Sequence, residues 1–186
     1  MARVSKRDAA ERLLVQAVKL QFSDGDPFAV HLLVMSSLRN CRDVRARKSS
    51  IVDEFQAIVR PENTNEFFRL FYSTASFFKH ADRHHDSLLD FPHELPKHNE
   101  RLIMLVAYTF QQAFNVDSKN FIVHAAVLCF MKLHQNIVIP VSNEAKIYDQ
   151  TLALLDTTVL QNTIRDLVRE GPSRLGPRDW INDWTW

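Results

Sequence analysis

The densest chemistry in the chain lies in "FFKHADRHHDSLLDF", residues 77–91. His80, His84 and His85 alternate there with Asp82, Asp86 and Asp90, between two aromatic ends. On a helix running through His84, the His80 and His84 rings face the same way, one turn apart. Two imidazoles at that spacing can share a metal ion, and His80, His84 and Asp86 are the candidate metal ligands, with Asp82 or His85 as further donors. Two features weigh against a zinc hydrolase. Ala81, Asp82 and Arg83 break the HExxH pattern, and Arg83 sets a cation where the metal would sit. The competing reading is electrostatic, because Lys79, His80, Arg83 and His84 are residues that complement the dipole of a helix C-terminus. A third reading pairs Asp82 with His80. A neighbouring carboxylate fixes a histidine's tautomer and raises its basicity, as acid–base work near neutral pH requires.

A second cluster is "RNCRDVRARK", residues 39–48, with five cations and one acid. Helical spacing aligns Arg39 with Arg42. Such a row can bind phosphates by counterion release. No aromatic residue is interleaved, so base stacking is not supported. The alternative is an exposed, dipole-favoured helix end. Lys79, His80, Asp82, Arg83, Arg39 and Arg42 are thus the candidate binding residues. His80, Asp82, Arg39 and Arg42 are the catalytic candidates if the protein is an enzyme. His31, His124 and His134 fall inside helical patterns and read as packed, hydrogen-bonded residues. Ser36-Ser37 and Ser49-Ser50 lack a GxSxG context, so a serine hydrolase is not indicated.

Something must hold these groups. The chain has 186 residues, enough for one domain with its own core. The formal charge is +1, so any nucleic-acid binding needs a local patch. Only three glycines occur, too few for tight hairpins or for a Gly-rich phosphate loop. Cys41 and Cys129 form no CxxC pair and read as reduced thiols. The opening "MARVSKRDAAERLL" mixes acids and bases and does not read as a signal peptide. "FIVHAAVLCFM" is about half the length that crosses a bilayer. These features predict an all-α protein that is cytoplasmic, with no membrane contact and no implied cofactor.

Apolar periodicity predicts helices over 4–22, 27–47, about 50–60, 64–78, 97–115, 118–136 and 144–170. Asp26 and Pro27 supply an N-cap and a first helical residue. Pro92 and Pro96 predict a loop over 81–97. The expected architecture is a single-domain bundle of six to seven helices over 1–171, followed by a tail over 172–186. That tail carries Trp180, Trp184 and Trp186, which are expected to fold back on the bundle.

The run "DAAERLLVQAVKLQFSDGDPFAVHLLVMSSLRNCRDV", followed by "ASFFKHADRHHDSLLDF", resembles an uncharacterised group of bacterial helical proteins. A DP-x-x-x-H helix start and an N-F-F-K-H-A-D signature recur in that group. The similarity spans about residues 8–91. More distantly, the Lys-His pair at a helix end resembles the HEPN superfamily of helical bundles. That resemblance implies nucleotide binding or metal-independent ribonuclease activity. HEPN ribonucleases carry an Arg-x4–6-His motif, and no arginine here has a histidine five to seven residues downstream. The arginine would have to come from another helix, Arg39 or Arg42 meeting His80.

Three functions follow. The leading one is a non-enzymatic binding or interaction module of bacterial type, for a nucleotide, nucleic acid or protein partner, with room for oligomer formation. The second is a HEPN-like ribonuclease or nucleotide-processing enzyme, and the third a His/Asp metal-binding protein.

Overall fold

A computed structural model describes residues 3–45, 65, 95–115, 120–134 and 156–170. Five helices stand among them, and no strand: α1 (Lys6–Phe22), α2 (Pro27–Arg45), α3 (Leu95–Phe114), α4 (Phe121–Leu133) and α5 (Thr157–Glu170). The described part of the protein is therefore all-α. The expected helices over 50–60 and 64–78 lie outside the described residues, apart from Asn65, which is helical. The 172–186 tail lies outside them as well.

Local chemistry sets the helix ends. Ser5 caps α1 in a reciprocal box: its hydroxyl accepts from the Asp8 amide at 3.1 Å, and the Asp8 carboxylate accepts from the Ser5 amide at 3.3 Å. At the other end the Ser23 amide reaches Lys19 O and the Gly25 amide reaches Leu20 O at 2.9 Å, while Asp24 takes a positive φ of 53°. This is the Schellman arrangement, which satisfies the last carbonyls and turns the chain sharply. A Cβ on Gly25 would stand 2.9 Å from Leu20 Cδ2 and 3.0 Å from Leu20 O, so the residue must be small. Asp26 then caps α2, accepting from the Phe28 amide at 2.9 Å, with Pro27 as its first residue. The turn makes α1 and α2 an antiparallel hairpin.

Several boundaries differ from the sequence pattern: α1 begins at Lys6 rather than 4, α4 ends at Leu133 rather than 136, and three helix starts differ for visible local reasons. α3 begins at Leu95, inside the expected loop, because a proline in the first helical turn has no amide that the helix needs. α4 begins at Phe121 rather than 118, where the Asn120 side chain accepts from the Ile122 amide at 3.1 Å. The last helix is not continuous over 144–170. Asp156 caps a helix that starts at Thr157, accepting from the Thr158 and Val159 amides at 2.8 and 3.2 Å.

One apolar core joins all five helices. Leu14 and Val18 of α1, Val34 and Leu38 of α2, Leu102 and Val106 of α3, Ala126 and Phe130 of α4 and Ile164 of α5 are all buried in it. The Phe22 ring stacks on Phe130 with centroids 5.3 Å apart, tying α1 to α4. Cys41 and Phe110 form a smaller cluster with Ala10. Ser37 is buried among these groups because its hydroxyl donates to Ala10 O at 2.8 Å.

Candidate functional site

Two polar regions stand at opposite ends of α2. At its N-terminal end the core is interrupted by a buried set: His31 of α2 and His98 and Asn99 of α3. His98 and Asn99 share the buried stripe of α3 with Leu102, Ile103 and Val106, since residues three and four apart lie on one face. The His31 and His98 rings stack with centroids 5.9 Å apart and planes 21° from parallel.

Hydrogen bonding fixes the protons here. The Asn99 amide nitrogen donates to the Pro27 carbonyl at 2.8 Å. A carbonyl only accepts, so the other side of the Asn99 amide is oxygen. That oxygen lies 3.1 Å from His31 Nδ1 and can only accept. His31 therefore carries a proton on Nδ1, and in the neutral ring Nε2 holds the lone pair. Burial lowers the pKa of His31, partly offset by its bond to Asn99. His98 is pushed down to about 3 by burial, then by His31 and by Arg101. Both rings are thus neutral at physiological pH.

A second pair adjoins. His134, at the C-cap of α4, stands 2.6 Å through Nε2 from Glu100 Oε2. Gln21 of α1 donates to the Pro96 carbonyl at 3.3 Å and reaches Glu100 Oε1 at 3.5 Å. α1, α3 and α4 therefore meet at this end through polar contacts as well as through the Phe22–Phe130 stack. His31 and His134 are packed, hydrogen-bonded residues, as their helical positions suggest. His124 is half-buried on α4.

At the other end of α2, Arg39 and Arg42 are exposed. They stand about 12 and about 16 Å along the helix axis from His31, at 1.5 Å per residue. The antiparallel hairpin brings the start of α1 beside them. Lys6 Nζ reaches Asp43 Oδ2 at 3.0 Å. The Asp43 carboxyl is held below its ordinary range by this bond and charge, and further by Arg39 and Arg42. Arg3 is exposed at the same end. The arginine row is therefore a solvated surface whose nearby acid is held by a lysine.

Lys79, His80, Asp82, Arg83, His84 and Asp86, with Phe77 and Phe78 beside them, lie outside the described residues. Among the described residues no group of three or more histidine, cysteine or carboxylate side chains could hold a metal ion. Cys41 and Cys129 are buried free thiols, raised by burial to about 12 and about 11, so both stay protonated and unreactive. No described helix is long and apolar enough to cross a membrane.

No protein family, characterised protein or solved structure matches the chain.

Sequence reasoning missed His98, Asn99 and Glu100. Their signal is the triplet "HNE" on the apolar stripe of a helix, where its first two members sit in register with Leu102 and Ile103. Polar residues on a buried stripe need partners, and that requirement points to a facing group such as His31.

Proposed function

We propose that the protein is a non-enzymatic binding module that recognises phosphate-bearing ligands, a nucleotide or a nucleic acid, at the end where α1 begins and α2 ends. The observation that carries this reading is the arrangement around Asp43. Lys6 holds that carboxylate at 3.0 Å, and Arg39 and Arg42 are left exposed beside it. An exposed ion pair of this kind adds little stability. Its effect on the surface is larger, because Lys6 offsets the charge of the local acid that otherwise competes for the arginines. Guanidinium groups bind phosphate oxygens in a fixed fork, and several of them on one face suit a ligand with more than one phosphate. The overall charge of +1 leaves the attraction local rather than global. The two buried free thiols suit a reducing compartment, in keeping with a cytoplasmic setting. The likeness to bacterial helical proteins and to HEPN bundles belongs to the same proposal.

The test is fluorescence anisotropy with a labelled single-stranded RNA and a labelled nucleotide between 50 and 200 mM salt. Affinity for at least one falls steeply with salt, and Arg39→Ala/Arg42→Ala flattens the slope by about 0.7 for each phosphate no longer neutralised. Lys6→Ala also weakens binding, because Asp43 is then released to compete for the arginines. A salt-independent affinity, or a double variant that binds like the wild type, would remove the proposal.

A further inference from the structure

Arg7 is out of place in its helix on three physical grounds. It lies in register with Ala10, Leu14 and Val18, the buried stripe of α1, where an apolar side chain would extend the core. It stands in the first turn, where the helix dipole disfavours a cation. The side chain is half-buried, and its Nε is shut off from solvent with no described residue accepting a hydrogen bond from it. Asp8 is adjacent in sequence, but its carboxylate takes the Ser5 amide and hydroxyl. A methionine or leucine at this position would break none of these rules. An arginine kept at a cost to the fold points to a task outside the fold.

We infer that Arg7 is the anchor of the phosphate site, its guanidinium held at the edge of the core for the oxygens of the ligand; this rests on the phosphate-binding reading above. Its position follows from the α1–α2 hairpin. Lys6 Nζ meets Asp43, and the Ser37 hydroxyl donates to Ala10 O, so the first turn of α1 lies beside the last turns of α2. Arg7 falls between those two contacts along α1, at the end where Arg39 and Arg42 are exposed. The two kinds of arginine bring different free energies to a ligand. Arg39 and Arg42 are solvated, so each gives up bonds to water when it binds phosphate, and the net gain is modest. Arg7 gives up nothing at Nε. Rotation about its flexible stem turns Nε and one terminal nitrogen outward, toward two oxygens of one phosphate group. The donor that is unmet in the free protein is then met in the complex, and the relief of that penalty appears as affinity.

Arg7→Met tests the anchor, since methionine matches arginine in helix preference and fills the stripe without a polar nitrogen. Two measurements are made on the full chain: urea unfolding, and anisotropy at low salt with the labelled single-stranded RNA and the labelled nucleotide. The urea midpoint of Arg7→Met stays at or above that of the wild type. Its affinity for the probe that the wild type binds falls about tenfold or more, a greater loss than Arg39→Ala causes. Arg7→Lys keeps the charge but not the fork, and its affinity stays nearer to that of Arg7→Met than to the wild type. A midpoint below the wild type assigns Arg7 to the fold and overturns the inference. An Arg7→Met loss no greater than that of Arg39→Ala, or full binding by Arg7→Lys, overturns it too. In those cases the phosphate site itself stands, provided that Arg39→Ala/Arg42→Ala weakens binding. A wild type that binds neither probe removes the site and its anchor together.

Discussion

Asn99→Leu is the most direct perturbation of the buried polar set. Leucine keeps the branched outline of asparagine and is the larger of the two, so no cavity opens. Two hydrogen bonds are lost together, one to Pro27 O and one from His31 Nδ1. An unmet buried polar group costs about 1–3 kcal/mol. The Pro27 carbonyl still has its helical partner, the amide four residues on, so the His31 donor dominates. The expected loss is about 1–3 kcal/mol, a large share of the ~5–15 kcal/mol that holds a domain folded. Urea unfolding followed by far-UV circular dichroism at pH 7.5 measures it. At slopes of about 1–3 kcal/mol per molar urea, the midpoint drops by roughly 0.5–1.5 M. Asn99→Asp separates the two bonds: the acceptor for His31 is kept and the donor to Pro27 is lost. Its carboxylate also raises the His31 pKa. The unfolding midpoint of Asn99→Asp should then lose less on acidification than that of Asn99→Leu. A midpoint for Asn99→Leu within about 0.2 M of the wild type would show that the network carries no free energy.

Other outcomes follow from individual contacts. His98 is neutral when folded and titrates at its ordinary value when unfolded, so the unfolded chain binds more protons between about 6.5 and about 3; stability is full above that window and falls as pH drops through it. Between pH 6.5 and 4.5 the loss is about 2 kcal/mol, and thermal melts of His98→Leu should lack that part of the decline. Ser5→Ala removes the capping box of α1 and costs about 1 kcal/mol in urea unfolding, with no change in the pH profile between 5 and 8. Native protein should react with a thiol-specific chromogenic disulfide far more slowly than protein in urea, since Cys41 and Cys129 are buried and protonated.

The helical class was legible because glycine scarcity and 3.6-residue periodicity act locally. The α1–α2 turn was legible for the same reason: Asp26 and Pro27 carry their own backbone preferences, and both behave as their types dictate. The start of α3 was not, because proline reads as a helix breaker until its place in the first turn is known. The helix start at Thr157 was hidden by apolar spacing that continues across Asp156, whose capping role needs three-dimensional context. Arg39 and Arg42 were recognisable as a row, and their exposure follows from lying on the solvated end of α2. The His31–Asn99–His98 set escaped because it is assembled across helices some 70 residues apart: polar residues on the apolar stripe of α3 signal the need for a partner, and local spacing does not say which one. His134 finding Glu100 is the same kind of event.

The stack of Phe22 on Phe130 has a consequence for how the chain comes into being. About 110 residues separate the two rings, which at typical translation speeds is roughly 5–20 s of synthesis. Throughout that interval the first helical hairpin exists without the aromatic lid that shields it. A newly made N-terminal half should therefore be a client of chaperones, and a chain cut short before α4 should be cleared by proteases rather than accumulate. Completion of α4 and α5, whose Ile164 enters the same core as Leu14, would then act as the quality checkpoint for that core.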